Sequence, residues 1–253
     1  MMRLIRTLAV YGYLALIVVC GVPYFNHLEK NKEKLGEQAV AEKIYAYARN
    51  MARRIVALTG STITVKGAEH LPQEGAVLYV ANHQSYMDIP VIMSVIERPV
   101  GFVAKEEIGQ IPFFKKWIVH MKCVLITRGD ARKALTAILQ AAKLLQQGHS
   151  LVLYPEGTRS KDGMLGEFKA GSLKAAQKGK SMIVPLAVDG ARDIMPRGSF
   201  LMYRRPVTVT VLPPISADQV QAMDTRELAW LVKSQIAQAL GQDVTANGDE
   251  LHG

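Results

Sequence analysis

The chain is predicted to fold as an α/β domain, a mostly parallel sheet flanked by helices, preceded by an N-terminal membrane-associated helical pair. Three observations predict it. Short apolar runs alternate with helix-like segments from Ser61 onward. Polar, chemistry-bearing residues cluster just past two of those runs, where the strand ends of such a sheet meet a ligand crevice. The first sixty residues carry no such alternation, and Thr7 to Phe25 contains no charged side chain.

The N-terminal run is preceded by Arg3 and Arg6 and is read as ending at Pro23; its length, near 20 residues, suits a bilayer span. No small-x-small cleavage site follows Leu14 to Val19, so a removable leader is not favoured. In Leu35 to Leu58, the residues Val40, Ile44, Tyr47, Met51, Ile55 and Leu58 recur at helical spacing, with Arg49, Arg53 and Arg54 between them. A basic amphipathic helix of this kind suits an anionic bilayer surface, though packing on the body is the plainer alternative. Lys30, Lys32 and Lys34 follow the first run, so positive charge flanks it on both sides and sets no clean orientation. A single span, or a helical pair dipping into one leaflet, both fit.

Strand-like runs are Thr62 to Lys66, Ala76 to Ala81, Val100 to Ala104, Cys123 to Thr127, Leu151 to Tyr154, Met182 to Val188 and Val207 to Leu212. Helices are expected over Ile89 to Ile96, with Pro90 in the first turn, Ala131 to Gln147, Ser172 to Lys178 and Leu228 to Leu240. The stretch Ile108 to Val119, with Phe113, Phe114 and Trp117 beside Lys115 and Lys116, reads as an interfacial element or a core helix. These elements divide the chain into membrane-binding helices (1–60), an α/β body (61–241) and a loose polar tail (242–253).

Composition narrows the partners. The chain has 253 residues, 49% hydrophobic, with net charge +9, which favours an anionic partner. Aromatic residues make up only 7%, and no nucleic-acid-binding signature occurs, so an anionic lipid or a phosphorylated substrate fits better than nucleic acid. The two cysteines, Cys20 and Cys123, match no metal spacing or disulfide framework, in keeping with a reducing compartment. His27, His70, His120, His149 and His252 are scattered, so no metal site is expected.

Two motifs carry chemistry. In Asn82-His83-Gln84-Ser85-Tyr86-Met87-Asp88, an imidazole lies five positions before a carboxylate. On one helix these would diverge by about 140°. With His83 in a turn and Asp88 at a helix entrance they can meet, and the acid then fixes one tautomer and leaves the other ring nitrogen free to take a proton. An N-cap aspartate and an ordinary turn histidine are the simpler alternative. The second motif, Tyr154-Pro155-Glu156-Gly157-Thr158-Arg159, ends a buried strand. Gly157 allows close backbone approach, Thr158 offers a hydroxyl, and Arg159 offers a fork for phosphate oxygens. Glu156 is expected to hold Arg159 or another donor in place; a surface Glu–Arg pair is the alternative.

Taken together, N-H-x-x-x-x-D at 82–88 and P-E-G-T-R at 155–159 resemble the glycerolipid acyltransferase family, in particular its bacterial 1-acyl-sn-glycerol-3-phosphate acyltransferases. Two weaker blocks, Val124 to Gly129 and Ile183 to Val188, are similar to the family's in the same order, so the resemblance covers about Ile63 to Ile215. Tyr154 stands where Phe is more usual, and Gln84 to Met87 do not fix the acceptor.

The resemblance implies transfer of a fatty acyl group from acyl-CoA or acyl carrier protein, as co-substrate without a further cofactor, to the sn-2 hydroxyl of lysophosphatidate. His83 would be the general base and Asp88 its orienter. Arg128 and Arg159, helped by Glu156, Gly157, Thr158 and Lys105, would hold the phosphate, with backbone N–H groups near the 155–159 block facing the oxyanion. No G-x-S-x-G elbow occurs, so direct transfer is expected over an acyl-enzyme. The implied location is the cytoplasmic membrane, with the catalytic body in the cytoplasm. Rival readings are transfer to glycerol 3-phosphate, another lysophospholipid or a lyso-ornithine lipid; a metal hydrolase using His83, Asp88 and Glu156; and a non-catalytic lipid-binding protein.

Overall fold

A computed structural model describes residues 1–110, 112–127 and 129–244. Arg128 and residues 245–253 of the tail lie outside them, as do the side chains of Phe113 and Phe114. The seven expected runs form one sheet in the order β1-β7-β6-β2-β5-β3-β4. The strands are β1 (Thr62–Lys66), β2 (Val77–Ala81), β3 (Val100–Lys105), β4 (Val124–Ile126), β5 (Ser150–Leu153), β6 (Met182–Asp189) and β7 (Pro206–Val211). Neighbours are parallel except β6 and β7, which run antiparallel.

The central strands are buried on both faces, which is why they read as continuous apolar runs rather than alternating ones. The period-2 pleat still sorts their side chains: Val77, Tyr79 and Ala81 enter one core, and Leu78 and Val80 enter the other. The first core is closed by α3 (Glu37–Leu58), which the single turn α2 (Lys32–Leu35) precedes, and by α4 (Asp88–Val95); the second by α6 (Ala131–Gln146), α7 (Ala170–Gly179) and α10 (Thr225–Leu240), which follows the short α9 (Ala217–Ala222). Asp130 caps α6, accepting from the N–H groups of Arg132 and Lys133 at 3.0 and 3.1 Å. Gln242, placed by sequence in the loose tail, is held instead: its Oε1 accepts from Leu165 N at 2.9 Å and its Nε2 donates to Gly163 O at 3.0 Å.

The N-terminal helices differ from expectation in two ways. The first helix, α1 (Met2–Lys30), continues through Pro23, whose missing N–H removes one helical bond without ending the helix. Among the described residues it is the one helix long and apolar enough to cross a membrane, and only 24% of its apolar window is buried in the protein. By contrast, α3 turns its apolar face inward. Val40, Ile44, Ala48, Ala52 and Ile55 are buried among α1 and α4, so that face is not available to a bilayer. Trp117, on α5 (Pro112–His120), is likewise a core residue, edge-on to Phe25 at 4.9 Å, which selects the core reading over the interfacial one for this side chain.

Candidate active site

Strand pairing brings the two motifs together. Because β2 and β5 are parallel neighbours with Val80 opposite Leu153, the residues three beyond each, His83 and Glu156, leave the sheet side by side. Glu156 Oε1 accepts the His83 N–H at 2.8 Å, and Ser160 N donates to His83 O at 2.8 Å. The other oxygen, Glu156 Oε2, accepts from Gly166 N at 3.0 Å. Glu156 therefore fixes the His83 backbone and the 160–168 segment, and does not pair with Arg159. Asn82 extends the clamp on the other side: its side chain donates to Val188 O at 2.9 Å and accepts from Val188 N at 2.8 Å, prolonging the β2–β6 pairing.

The expected dyad forms. His83 Nδ1 lies 2.8 Å from Asp88 Oδ2, which also accepts the N–H groups of Gln84 at 2.7 Å and Ser85 at 2.8 Å. Asp88 begins α4, is fully buried, and closes the 83–88 turn onto itself. An acceptor on Nδ1 selects the Nδ1–H tautomer and leaves Nε2 as the basic nitrogen. Among the described residues nothing occupies Nε2, and His83 lines a cleft of about 760 Å³. The imidazole stacks on the Tyr154 ring, with centroids 4.2 Å apart and planes at 22°. Burial, reinforced by Asp88, pushes the Tyr154 phenol well above its ordinary value, so the ring stays neutral.

The cleft has two chemical halves. Ile89, Phe102, Ile108, Ile126 and Leu153 make an apolar wall. Lys105, Arg159 and Lys169 supply cations. Arg159 lies over the Tyr86 ring, 3.8 Å from its centroid, which fixes its plane. Lys105 pairs with Glu107. Gly157 has φ +67, and a Cβ there would lie 3.1 Å from Lys169 Nζ, so glycine is needed where the chain turns beside that amine. Thr158 is exposed and does not line the cleft, unlike the role expected of it. Arg128 lies outside the described residues; its neighbours Thr127 and Gly129 line the cleft.

Asn82, Tyr154 and Lys169 were not identified as site residues from sequence. Lys169 is legible only as the last residue before a helix, and no motif placed it opposite Gly157. Tyr154 was visible, but its stacking on His83 depends on the β2–β5 register.

Burial pushes the Glu156 carboxyl above its ordinary value, opposed by the His83 and Gly166 N–H groups. A raised folded-state value means that Glu156 adds most to stability below its unfolded value near 4.5, and that this is lost as pH rises through the folded value. The Glu156→Gln variant should lack this slope. It should also be destabilised by about 1–3 kcal/mol at neutral pH, because an amide N–H₂ cannot accept from Gly166. Urea unfolding of both proteins across that pH range checks the expectation.

Comparison with known proteins identifies the family. The acyltransferase family model matches residues 62–189, from β1 through the end of β6. The chain belongs to the acyltransferase family. It is similar to the chloroplastic 1-acyl-sn-glycerol-3-phosphate acyltransferase LPAT1 of Arabidopsis thaliana, 34% identical over 64% of this chain and 46% of that protein. It is also similar to a 1-acyl-sn-glycerol-3-phosphate acyltransferase of Borreliella burgdorferi, 27% identical over 72% of this chain and 73% of that one. A probable enzyme of the same name from Mycoplasma pneumoniae is 28% identical over 85% of each chain. The chain thus spans about half the length of the plant relative and most of the bacterial ones. In fold, it matches the crystal structure of the LPA acyltransferase PlsC from Thermotoga maritima, with TM-score 0.78, 24% identity, and coverage of 97% and 98% of the two chains.

Proposed function

We propose that this acyltransferase moves a fatty acyl group from a thioester of coenzyme A or acyl carrier protein to the sn-2 hydroxyl of 1-acyl-sn-glycerol-3-phosphate, giving phosphatidate. One observation carries the reading: His83, tautomer-locked by Asp88, faces a cleft that pairs an apolar wall with Arg159, Lys169 and Lys105. That pairing suits an amphiphile with a phosphate head and an acyl tail. The relatives named for this acceptor support the same choice.

In the reaction, His83 Nε2 takes the proton of the sn-2 hydroxyl as its oxygen attacks the thioester carbonyl carbon. Such positioned base catalysis is worth ~10²–10⁴-fold. Asp88 stabilises the imidazolium that results. Collapse of the tetrahedral adduct breaks the C–S bond, and the imidazolium returns the proton to the departing thiolate. The new ester and a free thiol account for every atom, and no acyl group rests on the protein. The acceptor's phosphate carries about two negative charges. Arg159 and Lys169, with Arg128, hold it so that the sn-2 oxygen is presented to Nε2.

The enzyme acts at a membrane in this account, with α1 as its anchor and the body on the cytoplasmic side. The exposed apolar residues of α1 support its role as the anchor.

The test is transfer of labelled acyl groups to a panel of acceptors: lysophosphatidate, glycerol 3-phosphate, a lyso-ornithine lipid, and monoacylglycerol, which lacks the phosphate. Lysophosphatidate should be preferred. The Arg159→Ala and Lys169→Ala variants should each raise KM for lysophosphatidate by roughly tenfold or more with a smaller change in kcat. For monoacylglycerol neither should matter. Equal losses with both acceptors would remove these residues from the phosphate site.

A further inference from the structure

The loop between α8 (Ala191–Ile194) and β7 carries Phe200, whose side chain is 79% exposed. Among the large apolar residues described, only the terminal Met1 is more exposed. A lone exposed apolar residue needs no explanation. Here, however, the loop that presents it is firmly held. Tyr203 N donates to Ile194 O at 2.8 Å, and buried Met202 donates its N–H to Thr7 Oγ1 at 2.8 Å. Tyr11 Oη donates to the Phe200 carbonyl at 3.2 Å. Two residues of α1 thus fix the loop against the anchor helix, with the Phe200 ring left outside.

The surroundings match one kind of partner. Leu4, Leu8 and Tyr11, at helical spacing i, i+4 and i+7, form an exposed stripe on α1 that leads to Phe200 through the Tyr11 bond. Arg197, Arg204 and Arg205 are exposed on the same loop. Arg6 and Arg204 both flank Gly60. Among the described residues none of these four arginines pairs with a carboxylate. An apolar tip on a loop that also carries exposed guanidinium groups without a carboxylate partner is complementary to the phosphate layer of an anionic bilayer and the acyl boundary beneath it.

We propose that residues 195–205 form a second bilayer-docking element, in which Phe200 enters the acyl boundary while Arg197, Arg204 and Arg205 take lipid phosphates. The proposal rests on the membrane reading of α1. It adds a consequence for the site: Arg197 Nη1 donates to Arg159 O at 3.3 Å, and Ser85 Oγ donates to Met195 O at 3.2 Å. A docked loop is thereby tied to both motif turns and orients the cleft toward the surface that supplies the acceptor.

The experiment uses the full chain with vesicles of phosphatidylglycerol and phosphatidylethanolamine, and with phosphatidylcholine vesicles as the uncharged control. Wild-type sedimentation reports on the membrane reading alone. The indole added by Phe200→Trp reports on the loop: its emission, taken over the wild-type background, should be quenched by lipids brominated near the head of the acyl chain. Phe200→Ser should weaken sedimentation roughly tenfold. The double change Arg204→Gln with Arg205→Gln should weaken it several-fold on the anionic vesicles only, and less so at high salt. If wild type sediments but the added indole is unquenched, the loop does not dock and the proposal fails while the α1 reading stands. If wild type does not sediment, both fail. If the loop variants bind vesicles normally and only slow transfer from acyl carrier protein, the loop is a protein-docking surface and the proposal is overturned.

Discussion

Replacing His83 with alanine is expected to lower kcat for transfer to lysophosphatidate by roughly 10³–10⁴-fold, with little change in KM for either substrate. The substitution removes the basic Nε2 and leaves the main-chain bonds of residue 83 to Glu156 and Ser160 in place. The phosphate anchors and the apolar wall also remain, so substrates still bind. What is lost is the acceptor for the hydroxyl proton, and an alcohol at neutral pH is too weak a nucleophile without one. Single-turnover measurement with acyl thioester separates this from slow product release. A cooperative denaturant transition in the variant, at a midpoint only modestly below wild type, would confirm that the fold persists.

The Asp88→Asn variant should fall almost as far, by about 10³-fold or more in kcat, for a different reason. A single oxygen, Oδ2, accepts from His83 Nδ1, Gln84 N and Ser85 N. If the amide oxygen keeps that place, it no longer carries the charge that stabilises the imidazolium. The amide nitrogen then occupies the position of Oδ1, which is buried without a hydrogen-bond partner among the described residues, and brings two unsatisfied donors with it. If the amide turns over, it meets three donors with donors of its own. Either arrangement destabilises the turn, by about 1–3 kcal/mol. Both variants should therefore lose turnover, and Asp88→Asn should lose more stability, because it disturbs three hydrogen bonds of the turn where His83→Ala removes one. Parallel measurement of denaturant midpoints and kcat for the two variants makes the distinction.

The central strands were legible because a sheet covered on both faces leaves a strong trace, an apolar run with turn residues at its ends, whereas β1 and β7 at one edge read as Thr alternating with Val or Ile. Strand order was not legible. Nothing local in Val77–Ala81 or Ser150–Leu153 states that these two strands are neighbours, yet that adjacency places Glu156 under the His83 backbone. For the same reason the sequence assigned Glu156 to Arg159 or another donor, whereas the donors are the N–H groups of His83 and Gly166. Lys169 was missed because its place at the cleft depends on the path of residues 157–169 back across the end of β5, and one lysine among many carries no signal. The apolar stripe on α3 was legible as a stripe; which surface would cover it was not, since a bilayer and a protein core ask for the same periodicity. Trp117 beside two lysines posed the same ambiguity, and the rings of Phe25 and Tyr47 resolve it in favour of the core.

The central claim is that a phosphate-anchored alcohol is acylated directly, with His83 as base and no acyl group on the protein. Incubating the purified chain with a radiolabelled acyl thioester, first alone and then with lysophosphatidate, tests it most directly. The account predicts no label on protein in the first stage and labelled phosphatidate, acylated at sn-2, in the second. Label held covalently by the protein before acceptor is added, or release of free fatty acid without phosphatidate, would contradict it.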